Sequence, residues 1–413
     1  GELAPPCCAC FLSNNQVFQT RFSTMFSSTR FAQMLQALPH QLFKAAVKRC
    51  GADRYAKQFT SWDLLVTLIY GQITQAKSLR TLATASQSLE PHRHHLNAKN
   101  MVRSTLCDAL NKRSSEPFRL ACEHLLKGIG RKQRKSLEAM ITLIDSTSIS
   151  LRGPGFDEWT TATKTRITQG LKVHVAIDPR QTAPTYVNIT AANVNDLSDA
   201  LTMPLEAGMT YVFDKGYCDY NWWHQIDQTG SFFVTRLKKN ANLKRVENLK
   251  KEDAAEFIEA DESVLFAKKY LSTRRPNLYR DQAVRRVQVR RDDHEIPLVL
   301  VTNDFSRSAE EIAGLYKQRW QIELFFKWIK QNLKLKRYFG FSENAVRLQI
   351  YSALITYLLL HLYQRRSGGS GSISSFVIRL AHTLFERPSS IEHLEYRRQK
   401  RTEQKAAQGC LLL

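Results

Sequence analysis

Two aspartates stand where an aspartate is costly. Asp145 interrupts the apolar run MITLIDSTSI, and Asp214 ends the strand-like stretch TYVFDKGY. A carboxylate on or at the end of a buried strand is strongly unfavourable if it is charged and alone. A third acid, Glu323, lies in the stretch YKQRWQIELFFKWIK, Tyr316 to Lys330. At roughly 100° per residue, with Tyr316 at zero, Arg319 falls near −60°, Glu323 near −20° and Lys330 near −40°. These four share one narrow face. Ile322, Phe325, Phe326, Trp328 and Ile329 point elsewhere, a girth apolar enough to imply burial. The spacing also admits a plainer reading, because Arg319 and Glu323, and Glu323 and Lys327, are four apart, as in the ion pairs of exposed helices. Read together, two strand-borne aspartates and a helix-borne glutamate call for a common counter-charge. Three oxygen ligands with open positions suit Mg²⁺ or Mn²⁺. Two such ions about 4 Å apart activate a water or a 3′-hydroxyl and stabilise the leaving oxygen in phosphoryl displacement.

The elements that must position these groups are legible in outline. From MITLIDSTSI onward, GLKVHVAID, TYVNITA and MTYVFDKGY are short β-type runs punctuated by turn residues. The helical piece NDLSDALTM precedes the last of these runs, NWWHQIDQTG follows it, and SFFVTRL closes the series. The order strand, strand, strand, helix, strand, helix, strand is that of a mixed α/β layer. Residues 238–295 read as an inserted β-rich subdomain. PLVLVTNDF then returns to a buried strand, and Ser308 caps the helix that carries Glu323. Ahead of the sheet, Arg30 to about Gly128 is helical, with Ser61 and Ser115 as N-caps. The basic stretch RHHLNAKNMVRSTLCDALNKR inside it suits a small helical unit that reads DNA.

The chain has 413 residues and a formal charge of +22, with a pI near 9.7. Such a surface attracts polyanions, nucleic acid above all. The longest apolar run, IYSALITYLLLHLY, reads as a buried helix rather than a bilayer span. Eight cysteines, at 7, 8, 10, 50, 107, 122, 218 and 410, show no C-x-x-C pairs, as expected of a protein in a reducing cytosol. The first residues read as a disordered leader. The terminal CLLL matches a prenylation pattern too short to carry weight.

Tyr316, Arg319, Glu323 and Lys330 form Y-x-x-R-x-x-x-E followed six residues later by Lys. The pattern resembles the Y-R-E-K signature of bacterial insertion-sequence transposases of the IS-four type, in the DDE superfamily. The resemblance extends to LIDSTSI, VFDKGY, FFVTRLKKN and the RSTLCDALNKR region, covering roughly residues 30–365. It implies an RNase H-like catalytic core interrupted by a β-rich insertion, with an all-α DNA-binding domain before it and a helical tail after it. The domains expected are a disordered leader (1–29), a helical DNA-binding domain (30–134), the first part of the core (135–237), the insertion (238–295), the second part of the core (296–364), and a linker with helical tail (365–413).

By the same resemblance, Asp145, Asp214 and Glu323 are the metal-binding catalytic triad for two Mg²⁺ or Mn²⁺ ions. Tyr316, Arg319 and Lys330 match the family positions that hold phosphates of the transposon end, and Lys327 beside them is expected to contact DNA as well. The partners expected are inverted-repeat ends and target DNA, bound by a homodimer, in a bacterial cytoplasm. The activity expected is cut-and-paste transposition; the rivals are a DNA-binding derivative without catalysis and a nuclease of the same fold that does not join ends. One departure stands out. Relatives that excise through a DNA hairpin hold a flipped base on a Trp in the insertion, and the Trp residues here, at 62, 159, 222, 223, 320 and 328, leave the insertion without one. Phe257, Phe266, Tyr270 and Tyr279 are the aromatics available there, and Trp222 and Trp223 read as packing residues.

Overall fold

The computed structural model describes residues 29–99, 102–131, 140–179, 183–238, 241–267, 270, 275–291, 294–332, 338–367 and 371–389. The expected leader, the basic hinge after Arg131, Cys7, Cys8, Cys10, Cys410 and the terminal CLLL lie outside these residues. The chain divides into two compact units, one of Gly1–Leu125, Arg337–Gly340 and Asn344–Leu413, the other of Leu126–Lys336 and Phe341–Glu343.

The first unit is helical. Its N-terminal part holds α1 (Arg30–Leu35), α2 (His40–Cys50), α3 (Ser61–Ile73), α4 (Leu79–Ala85), α5 (Arg93–Leu96), α6 (Arg103–Lys112) and the start of α7 (Glu116–Arg131). Helix α3 is buried along its whole length. Thr60, not Ser61, is its N-cap: Thr60 Oγ1 accepts from the Asp63 N–H, and the Asp63 carboxylate accepts from the Thr60 N–H at 2.6 Å. Ser61 instead donates its hydroxyl to Asp53 at 2.7 Å. Among the described residues Cys50, Cys107, Cys122 and Cys218 are free.

The second unit is built on one sheet of nine strands in the order β3-β2-β1-β4-β5-β9-β8-β7-β6. The strands are β1 (Met140–Ser150), β2 (Gly170–Asp178), β3 (Ala183–Ala191), β4 (Met209–Phe213), β5 (Phe232–Arg236), β6 (Leu243–Asn248), β7 (Ile258–Phe266), β8 (Val284–Arg291) and β9 (His294–Thr302). Strand β1 is antiparallel to β2 and parallel to β4, and β4 is parallel to β5. Between them run α8 (Asp157–Thr160), α9 (Asp196–Ala200) and α10 (Tyr220–Gln228). The expected order of strands and helices from β2 to β5 is the one observed, whereas the short α8 between β1 and β2 was not expected.

The residues read as a separate insertion extend this same sheet. Strand β9 pairs with β5 on one side and β8 on the other, so β8, β7 and β6 continue the hydrogen-bonded layer. Strand alternation then sorts the side chains. Ile144, Ala176 and Phe213 face a core that holds Trp222, Trp223, Phe233, Phe266 and Tyr279. Trp222 and Trp223 are packing residues, as expected. Phe266 and Tyr279 are equally buried, whereas Phe257 and Tyr270 are exposed.

After β9 the capping box of Ser308 and Glu311 starts α11 (Ala309–Gln318), and α12 (Trp320–Asn332) follows at once. The single helix expected here is two, parted at Arg319. Helix α11 packs on β4, β5, β7 and β8, and α12 packs on β1. The chain then returns to the helical unit through α13 (Glu343–Arg366) and α14 (Ile373–Thr383). Helix α13, read from the sequence as part of the core, groups with the compact helical unit. Helix α13 is buried along most of its length, as a helix apolar around most of its girth must be. By length and composition α13 could cross a bilayer, but 89% of its apolar window is buried within the protein. The expected linker begins later than Arg365, since Arg365 and Arg366 are helical.

Candidate catalytic site

Register brings the first two acids together. Ile144 pairs with Phe213 in the parallel β1–β4 ladder, so the residues one step on, Asp145 and Asp214, are neighbours on the opposite face of the sheet. Asp214 lies just past β4, at the N-terminal end of a 3-10 turn formed by Lys215–Tyr217. Helix α12 delivers Glu323 to the same place, held down on β1 by the buried Ile322, Phe325, Phe326 and Ile329.

Two of the three acids meet at one guanidinium. Arg319 Nη1 donates to Asp145 Oδ2 at 3.1 Å, and Arg319 Nη2 donates to Glu323 Oε1 at 2.6 Å. The Tyr316 hydroxyl donates to Asp214 Oδ1 at 3.1 Å, and Arg236 Nη1 lies 3.7 Å from the same oxygen. The Ser146 N–H donates to Asp145 Oδ1 at 2.8 Å. Burial pushes the Asp145 carboxyl up to about 6; its Ser146 hydrogen bond and Arg319 oppose that rise, while the charges of Glu323 and Asp214 add to it. Burial also raises the Tyr316 phenol, with the Asp214 carboxylate adding to the effect.

Of the residues singled out from sequence, Asp145, Asp214, Glu323, Tyr316 and Arg319 converge. Lys327 is exposed on α12 and Lys330 is half-buried, its ammonium lowered by burial. The plainer reading of Arg319 and Glu323 as a surface pair does not survive, because the guanidinium also binds Asp145, and its side chain is only 15% exposed. Burial of α12 is one-sided: Trp320 and Leu324 face solvent. Arg236 went unnoticed in the sequence. Its only signal was a basic residue closing the strand beside β4.

The donor set suits divalent cations, since all three groups are carboxylates and share one positive partner between Asp145 and Glu323. As the side chains stand, no cluster of three potential ligands is preformed among the described residues. The Arg319 guanidinium lies between two of the acids, and its Nε is buried without a hydrogen-bond partner.

The family model described as the transposase DDE domain matches residues 137–359. The chain belongs to the DDE transposase family. It is a metal-dependent transposase of the bacterial insertion-sequence kind. It is 39% identical over 284 residues to y4zB of Sinorhizobium fredii, named as a transposase, a match spanning 68% of this chain and 77% of that one. It is 31% identical to a transposase for insertion sequence element IS5377 of Geobacillus stearothermophilus, over 62% and 66% of the two chains. A second family model, described as a domain of unknown function, matches residues 27–97 of the transposase. Among solved structures, the transposase is similar to the piggyBac transposase in a cryo-EM synaptic complex with hairpin DNA. That match has 10% identity and a TM-score of 0.45, over 91% of this chain and 81% of the other.

Proposed function

We propose that this transposase binds the terminal inverted repeats of an insertion sequence of the IS-four type, cuts the DNA and joins the freed 3′-hydroxyl ends to target DNA. The observation that carries the reading is the gathering of three acids at one place: Asp145 of β1 and Glu323 of α12 share the Arg319 guanidinium, and Asp214, beside Asp145 at the end of β4, is held by Tyr316. The strand order β3-β2-β1-β4-β5, three antiparallel strands followed by two added in parallel, fits an RNase H-like core. In that core the three carboxylates would hold two Mg²⁺ or Mn²⁺ ions. Bound there, the ions would supply charge stabilisation for in-line phosphoryl displacement.

The chain's own residues do the rest. Asp145, Asp214 and Glu323 keep their oxygens on one face of a rigid sheet, which fixes where the scissile phosphate must lie. Lys330 and Lys327 neutralise backbone phosphates along α12. Arg319 and Tyr316 turn toward phosphate as the acids take a different counter-charge. Residues 30–134 recognise the ends, and the protein acts as a homodimer on DNA, in the bacterial nucleoid.

The test uses supercoiled plasmid that carries the DNA flanking this reading frame. Asp145→Asn, Asp214→Asn and Glu323→Gln should each abolish Mg²⁺-dependent nicking and strand transfer while far-UV circular dichroism stays that of the parent. Near-normal nicking by any of the three would remove that residue from the triad. Nicking by the parent without joining would reduce the protein to a nuclease.

A further inference from the structure

Behind Asp145, on the other face of β1, lies a polar cluster that the catalytic reading does not use. Ser146 Oγ donates to Asp196 Oδ1 at 2.7 Å. Lys172 Nζ stands 3.1 Å from the same oxygen and donates to the Val194 carbonyl at 2.8 Å. His174, paired across the ladder with Ser146, is 1% exposed; its Nε2 meets Thr190 Oγ1 at 2.8 Å, and its Nδ1 faces Asp196 and Asp199 at 3.8 and 3.7 Å. Asp196 also reaches the turn after Asp214: its Oδ2 is the heavy atom nearest to where a Cβ on Gly216 would stand, at 3.7 Å.

Ser146 is thus held at both ends. Its backbone N–H binds the Asp145 carboxylate on one face, and its hydroxyl binds Asp196 on the other. We infer that Asp196 is a positioning residue of the catalytic site, fixing the orientation of Asp145 through Ser146. The inference rests on the assignment of Asp145 as a metal ligand. Its physical basis is the one by which outer partners orient ligands around a metal: a carboxylate free to rotate spends binding energy on being ordered, and one fixed by a hydrogen-bonded neighbour does not. Lys172 pairs with the same Asp196 oxygen that accepts from Ser146. The competing account is that Asp196 only favours the N-terminus of α9, as acids do in a first helical turn; on that account nothing done to Ser146 should reach the metal.

The test measures binding of Mn²⁺ alone to the full chain, from the loss of the free-ion electron paramagnetic resonance signal, beside Mn²⁺-dependent nicking. Asp196→Ala and Ser146→Ala should each weaken Mn²⁺ binding about tenfold. The double variant should be no worse than either single one, because both break the same link. Asp196→Asn, whose amide oxygen still accepts from Ser146, should recover the parent's affinity. Ser146→Ala removes one oxygen and carries the test if Asp196→Ala fails to fold. Parental Mn²⁺ affinity in folded Ser146→Ala overturns the inference, as do additive losses in the double variant or an Asp196→Asn as weak as Asp196→Ala. Asp145→Asn separates the two assignments: if it loses Mn²⁺ while the outer variants do not, only the role of Asp196 falls. If Asp145→Asn binds Mn²⁺ like the parent, the triad itself falls.

Discussion

Arg319 and Glu323 show how one residue serves two partners. In a surface ion pair both substitutions would be mild, at most about 1 kcal/mol of stability. Here Arg319 offsets two carboxylates, one of which burial already pushes toward its neutral form. Arg319→Ala should therefore lower stability by about 1–2 kcal/mol. Millimolar MgCl₂ should restore part of the loss, since a cation bound to the folded acids stabilises them by mass action. Thermal unfolding with and without MgCl₂ checks this; a loss that Mg²⁺ does not touch would count against a shared counter-charge. The acid and the bases on α12 should also fail differently. Glu323→Gln should bind end DNA as well as the parent or better, yet not cut it, because a repulsive charge near phosphate is gone. Lys330→Ala should bind more weakly and flatten the dependence of log K on log salt by about one unit. Salt-dependent affinity and nicking measured side by side would show the split, and equal effects in both variants would remove it.

At the scale of elements, the start of α11 governs how Tyr316 reaches Asp214. Ser308 Oγ accepts from the Glu311 N–H at 3.2 Å, and the Glu311 carboxylate accepts from the Ser308 N–H at 2.7 Å. Ser308→Ala should cost about 1 kcal/mol, read as a lower urea midpoint with an unchanged slope. A change in slope would instead mean that the helix docks differently. The break at Arg319 was not legible in the sequence. The heptad-like stripe from Tyr316 to Lys330 is compatible with one straight helix, and only docking of α11 on β4, β5, β7 and β8, and of α12 on β1, distinguishes two. The exposed Trp320 and Leu324 were unreadable for the same reason. An apolar helix face says that something should cover it, not what does.

At the scale of the molecule, α13 carries a buried titratable group in the helical unit. His361 is 8% exposed, and its imidazole is pushed down to about 4 by burial, with Arg365 contributing. The unfolded side chain titrates near 6.5. Between these values the unfolded chain takes up a proton that the folded one refuses, so stability is complete above pH 6.5 and falls as the pH drops toward 4. The ceiling of that loss is ~3 kcal/mol. His361→Leu should flatten the acid limb of stability between pH 6.5 and 4, measured by urea unfolding. An unchanged limb would place the acid sensitivity elsewhere.

The sequence by itself determined the five strands β1 to β5 and the helices that flank β4, the packing role of Trp222 and Trp223, and the pairing of two strand-borne aspartates with a helix-borne glutamate. Those features are local: period-two and helical patterns, an acid where an apolar residue belongs, and a spaced motif all lie within short windows of chain. The tertiary structure alone decided that residues 238–295 extend the same sheet and that α13 joins the helical unit. It alone brought Arg236 to Asp214, and Asp196 behind Asp145 through Ser146. Each of these depends on which strand edge or helix face finds which partner. Strand edges are chemically alike along the backbone, so the choice among them is made by the whole set of packed side chains and not by any one segment.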